Sequence, residues 1–197
     1  MANVFLPAGE TADAKGVALD AAARIEPLMS HSPSSLAIWG SLMLTAAAAA
    51  AQSGDAPEAW HLLGEASAAA RMLTRDHADL HAIFGPTIVS IYAVNLAAEL
   101  DDSYEAVRRG EGIRLDRLPP QLRERRSHLL VNLARGHEQL GNDQEALAHL
   151  LQAETFSPED VRRGAAPRII VSRLLDRERR AATPGLRALA ARIGIAA

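Results

Sequence analysis

The sequence has no cysteine, a single lysine (Lys15) and few aromatic residues. Without cysteine there is no disulfide framework, no thiol nucleophile and no thiolate-based zinc or iron–sulfur site. Aromatics make up 4% of the chain, and valine, isoleucine and threonine are too sparse for a sheet of any size. That disfavours sandwiches, barrels and doubly wound folds. Neither Gly-x-Gly-x-x-Gly nor Gly-Lys-Ser/Thr occurs, so no nucleotide cofactor is implied. No serine sits in a nucleophile elbow, and most acidic pairs fall at expected helix starts, where the helix dipole accounts for them. An enzyme is therefore not expected, nor any cofactor. The formal net charge is −3, which does not suit a nucleic-acid binder. No basic stretch followed by an apolar run marks a signal peptide.

What the chain has is alanine and leucine. It contains 40 Ala and 26 Leu among 197 residues, and both are strong helix formers. Apolar residues reach 48%, ample for the core of one compact domain or of a repeat stack over residues 1–197. Charge is uneven: residues 1–100 carry 4 basic against 10 acidic residues, and residues 101–197 carry 17 against 14. Residues 27–54 contain no charged side chain, and the most apolar part, 36–51, is 16 residues long. A membrane span needs ~20 predominantly apolar residues. Gly40, Ser41 and Thr45 dilute the stretch further, so it reads as a buried central helix of a cytoplasmic protein.

Internal similarity is the strongest signal. Four segments share a turn and then a helix opening with Ala. They run Ala8-Gly9-Glu10-Thr11-Ala12-Asp13-Ala14, Ser53-Gly54-Asp55-Ala56-Pro57-Glu58-Ala59, Leu100-Asp101-Asp102-Ser103-Tyr104-Glu105-Ala106 and Leu140-Gly141-Asn142-Asp143-Gln144-Glu145-Ala146. The aligned alanines stand 45, 47 and 40 residues apart. In each block Gly or a short polar residue ends one helix, Asp, Asn or Ser caps the next, and a small Ala lets the two approach. The last block resembles a tetratricopeptide repeat: Leu130, Leu133 and Ala134 lie on the first helix, Gly141 turns, Ala146, Leu150 and Ala153 follow, and Pro158 closes the unit. Helices are expected over 11–29, 34–53, 57–75, 86–100, 103–111, 121–140, 143–156, 168–180 and 185–193, and no sheet at all. Pro33, Pro57, Pro86 and Pro120 sit near helix starts, where a missing N–H costs little. The expected fold is an all-α, tetratricopeptide-like superhelix of helical hairpins, about nine helices in number. Only residues 1–8 precede the first turn, so the first repeat reads as truncated, with Ala14, Val17, Ala18 and Ala21 uncovered. That implies a homodimer through this face, or local instability.

Several ordered strings resemble one family. They are Phe84-Gly85-Pro86-Thr87, Ala98-Glu99-Leu100-Asp101, Leu115-Asp116-Arg117-Leu118-Pro119, Glu124-Arg125-Arg126-Ser127-His128-Leu129, Gln139-Leu140-Gly141 and Ala188-Leu189-Ala190-Ala191-Arg192-Ile193-Gly194. Together they are similar to the C-terminal tetratricopeptide-like domain of actinobacterial helix-turn-helix transcriptional regulators. The resemblance implies a helical module that senses a ligand or partner, or dimerises, behind a DNA-binding domain. Residues 1–197 show no tri-helical pattern with a basic recognition helix, so this chain alone is not expected to bind DNA. Two positions depart from the family pattern: Ile88 and Tyr92 stand where relatives commonly carry Asn and His. The rival reading is a free-standing adaptor that binds a peptide or protein in its concave groove.

In a tetratricopeptide stack the first helix of each pair lines that groove. Ser41, Leu44, Thr45 and Ala48 are assigned to it here, with Ile88, Ile91, Tyr92 and Asn95, then His128, Val131, Asn132 and Arg135. Tyr92, Asn95, His128, Asn132 and Arg135 are the candidate ligand-binding residues. Asn95 and Asn132 resemble positions that hold peptide backbone or carboxylate in peptide-binding members of that superfamily, although the usual Lys partners are missing. Amides offer a donor and an acceptor to an extended backbone, and Arg135 suits a carboxylate. The ligand would be a peptide, a protein or a small-molecule effector. His77 and His81, four apart, would share a helical face and could bind a metal, but no third ligand is placed and the plainer reading is a polar connector. His137 and the arginines Arg123, Arg125, Arg126, Arg177, Arg179 and Arg180 are read as packing and helix-end pairing.

Overall fold

The computed structural model describes residues 8–73, 75–78, 82–115, 118, 122–178 and 183–196, with side chains from residue 13 onward. Several of its helix starts follow from short polar caps and proline. The Ser32 hydroxyl accepts the Ser35 N–H at 3.0 Å, and Pro33 fills the first helical position. Asp55 and Asp102 accept the N–H groups of Glu58 and Glu105 in the same way, at 3.3 and 3.0 Å. Each cap satisfies a donor that the helix itself cannot.

The described residues form ten α-helices, close to the nine expected, and the fold is all-α and built of helical hairpins. They are α1 Ala8–Ile25, α2 Pro33–Gln52, α3 Ala56–Arg71, α4 Pro86–Glu99, α5 Ser103–Gly110, α6 Arg123–Gln139, α7 Asp143–Phe156, α8 Pro158–Arg163, α9 Ala165–Asp176 and α10 Leu186–Arg192. Three expectations need correction. A two-residue antiparallel ladder pairs β1, His77–Ala78, with β2, Ile83–Phe84, where no strand was expected. Pro158 does not close a unit but opens α8, its ring fitting the first helical turn. Gly9 makes no turn, because α1 begins at Ala8 and runs through it.

The buried alanine recurs at three of the four blocks, while the side-chain cap forms at Asp55 and Asp102 but not at Asn142. Ala59, Ala106 and Ala146 are each fully buried, whereas Ala14 is only half-buried. The matching turns share one conformation: Gly54 and Gly141 both have φ of +78°, and Asp101 has φ of +56°. A left-handed residue lets the N–H beyond it reach back to the helix end. Asp55 thus donates to the Ala50 carbonyl at 2.9 Å, and Asn142 to that of His137 at 2.8 Å. Asp is one of the few side-chain-bearing residues that tolerate this region.

The chain divides into two compact units at Leu100/Asp101. In the first, α2 packs against α1, α3 and α4. Among its residues Ala37, Ala46, Ala47 and Ala50 are completely buried. By length and composition α2 could cross a membrane, but 61% of its apolar window is buried inside the fold, as a core helix requires. At 20 residues it has the length of the helix expected over 34–53, shifted by one residue. The Phe84 ring lies over Gly40, where a Cβ would run into it. Asp76 then caps α4, accepting the Thr87 N–H at 2.9 Å. The Phe-Gly-Pro-Thr string therefore plugs the core with its Phe and starts a helix with its Pro. Of the residues expected to be uncovered on α1, Ala18 is buried and Val17 is 69% exposed. In the second unit α6 is the central helix, packed by α5, α7, α8 and α9, with α10 on α9. Leu130, Ala134, Ala146, Leu150, Val171, Leu174 and Leu189 form its core.

Candidate functional site

Helix α6 is buried over most of its circumference. Ser127, Leu129, Leu130, Val131, Leu133, Ala134, Gly136, His137 and Glu138 are all covered. His128, Asn132 and Arg135 are not, and at spacings of four and three they form one narrow polar line along the helix. One of the three holds a carboxylate from elsewhere in the unit, and another lies near one. Arg135 donates to Asp101 at 2.5 Å, and His128 Nε2 stands 3.8 Å from Asp160 on α8. Asn132 also takes part in an interaction within the chain. Arg135 is thus not a waiting cation, as its type suggested: its first carboxylate is Asp101, brought in by the left-handed turn before α5. Asp101 remains 73% exposed at its side chain, so this anion is at the surface.

Tyr92 and Asn95 lie on α4 in the first unit, three residues apart and half-buried, each engaged within the chain. Four other residues assigned to the groove do not face it. Leu44, Ile88, Ile91 and Val131 are 1, 1, 2 and 8% exposed and belong to the core. An apolar side chain beside a polar one on a nearly buried helix is covered by the neighbouring helix, not offered to a ligand. Ile88 therefore fills core. Thr45 is exposed and donates its hydroxyl to the Ser41 carbonyl one turn back.

The histidine pair at 77 and 81 lacks its premise. His77 stands in a strand, not a helix, and its Nε2 is 3.2 Å from the Ser34 hydroxyl. His81 lies outside the described residues. Among the described residues no group of three His, Asp or Glu side chains is gathered as a metal would need. His137 packs, as read: it is 5% exposed and its ring stacks on that of His149, with centroids 5.1 Å apart. Burial, and then the neighbouring His137, push the His149 imidazole below its ordinary pKa. The arginines tie helix ends. Arg123 donates to the Phe156 carbonyl, and Arg177 spans Glu138 and Asp143 at 2.9 and 2.7 Å. Arg179 and Arg180 lie outside the described residues.

The sequence did not single out Glu138. Its carboxylate is 3% exposed on α6 and accepts from both Arg173 and Arg177. A charged residue within the buried arc of a helix was the signal available. Glu154 is a second anchor, 2.7 Å from Arg192, whose guanidinium holds the carboxyl below its usual range.

No family model and no curated protein matches the chain. Among solved structures, the crystal structure of BtubC (BKLC) from P. vanneervenii is similar, with a TM-score of 0.66 at 18% identity. The alignment covers 93% of this chain and 72% of that one. At such identity the likeness shows the all-α fold alone.

Proposed function

We propose that this chain is the regulatory, partner-binding module of a bacterial helix-turn-helix transcriptional regulator, working in the cytoplasm, and that it receives an acidic peptide segment along α6. The observation that carries the reading is the polar line His128–Asn132–Arg135, in which Arg135 already holds a carboxylate and His128 stands near a second. A partner's carboxylate would replace Asp101 at Arg135. The exchange costs little, because an exposed ion pair contributes only ~0–1 kcal/mol. The Asn132 amide would then meet the backbone of the extended segment. The family resemblance of the Phe84-Gly85-Pro86-Thr87 and Gln139-Leu140-Gly141 strings supports the regulatory setting. In this reading the chain neither catalyses a reaction nor touches DNA itself.

The test is an array of Asp- and Glu-containing peptides against the full chain, followed by fluorescence anisotropy. Asn132→Ala and Arg135→Ala should each weaken a selected peptide by about tenfold, which corresponds to about 1.4 kcal/mol. Asp101→Asn tolerates the left-handed turn and releases Arg135, so it should tighten binding. Affinity indifferent to all three substitutions overturns the reading. The reading frame upstream of Met1 separates regulator from adaptor: an in-frame helix-turn-helix domain supports the first, and a stop codon the second.

A further inference from the structure

The second unit has an open cavity of about 430 Å³ lined by Ile113, Arg114, Leu115, Arg126, Gln152 and Phe156. That volume falls in the range of small-molecule sites, roughly 300–1,000 Å³. Its described lining holds the Arg126 guanidinium and that of Arg114, which is engaged within the chain, beside three apolar side chains that are each only half-buried.

Arg126 is held in an unusual way. Its guanidinium lies 5.4 Å from the centre of the Phe156 ring. One terminal nitrogen donates to the Leu118 carbonyl. Its Nε, by contrast, is buried and has no hydrogen-bond partner. A buried N–H without an acceptor is costly, and a guanidinium presents its donors in a rigid fork that matches a carboxylate. Phe156 fixes the other side of the arrangement, because Arg123 holds its carbonyl at 3.1 Å. The cation is therefore braced by the ring below it and the Leu118 carbonyl beside it, and its side chain lines the cavity.

The geometry points to a binding site for a small monoanion with an apolar body: a carboxylate against the Arg126 guanidinium, and an aliphatic or aryl tail against Ile113, Leu115 and Phe156. Gln152, exposed at the rim, offers an amide to the head group. This site goes beyond the α6 reading and uses none of His128, Asn132 or Arg135.

Sodium octanoate is the probe, with octan-1-ol as its uncharged match, titrated into the full chain and followed by backbone amide shifts. Octanoate should shift Ile113, Leu115, Arg126, Gln152 and Phe156 saturably, and octanol should bind at least about tenfold more weakly. Gln152→Glu places a like charge at the exposed rim without disturbing the core, and should weaken octanoate by about tenfold or more. Arg126→Met keeps the apolar stem and removes the donors; it should do the same, its amide spectrum reporting whether the fold survives. Asp101→Asn should leave octanoate binding unchanged, so failure here and failure of the α6 reading are told apart. No saturable shift at these residues in millimolar octanoate, equal affinity for octanol, or a Gln152→Glu variant that binds as the parent does would each overturn the assignment.

Discussion

Both units build helical hairpins on buried alanine and glycine, and the second adds arginine pairs to them. In the first, helices approach through alanine and glycine: Ala37, Ala46, Ala47, Ala50, Ala59 and Ala66 are fully buried, and the Phe84 ring seats on bare Gly40 backbone. In the second, arginines stitch one helix to the next through Glu138, Asp143 and Glu154. The composition foreshadows the contrast, since residues 1–100 hold 4 basic residues and residues 101–197 hold 17. Alanine packing leaves little polar chemistry at the contact. Arginine pairing leaves guanidinium edges and carboxylates at the surface, where a partner can compete for them. The candidate binding chemistry accordingly falls on α6 and around Arg126.

The largest effect that sharpens this contrast is at Phe84. Phe84→Ala empties a fully covered site and should cost about 3–5 kcal/mol. Trp39 and Trp60 both belong to the first unit, so urea unfolding read by tryptophan fluorescence follows it directly. The loss should be the same at low and at molar salt, because no charge is involved. Gly40→Ala supplies the methyl group that the ring excludes and should act in the same direction, at about 1–3 kcal/mol. A loss that changes with salt would break the comparison.

Next comes Glu138. Glu138→Gln removes a buried carboxylate from between Arg173 and Arg177, whose side chains are 53 and 41% exposed and regain water. A cost of about 1–3 kcal/mol is expected, smaller than that of an isolated buried charge. The gap between parent and variant should narrow in molar salt, opposite to the behaviour at Phe84. Circular dichroism during thermal unfolding measures it.

The smallest effect is pH dependence. His149 has a depressed pKa in the folded chain, so its neutral form is the stable one. Its contribution is complete above the unfolded value, about 6.5, and is lost as the pH falls through the folded value. Glu154, also depressed, acts lower: its contribution is present above the ordinary carboxylate range and fades as the pH falls below it. The midpoint should therefore fall in two steps on acidification. His149→Gln should remove the upper step and leave the lower one. A midpoint flat between pH 7.5 and 5.5 in the parent contradicts the assignment.

Most of the helical order was legible because it is local. The turn-and-cap blocks at residues 53–59, 100–106 and 140–146 specify where one helix stops and the next starts within a few residues. The block at 8–14 has the same letters, yet α1 runs through it. Helix α8 was missed because a proline can end a helix or begin one, and only the following chain direction decides. The β1–β2 ladder is two residues long, too short for alternation to register. The site was legible only in part. Helical spacing identified His128, Asn132 and Arg135 as one line, but it also placed Leu44, Ile88, Ile91 and Val131 on an open face. A helix covered nearly all round has no single apolar stripe, so periodicity does not say which arc meets water. Arg135 finds Asp101 at 34 residues' distance, and Arg126 finds the Leu118 carbonyl beside Phe156. Such pairings depend on tertiary approach and leave no local pattern.

The most direct test of where this chain binds is a backbone amide titration of the full chain with the best acidic peptide from the array. Saturable shifts at Asp101, His128, Asn132 and Arg135, with α2 and α3 unmoved, are what the account predicts. Shifts that run through α2 and α3 while α6 stays silent would contradict it.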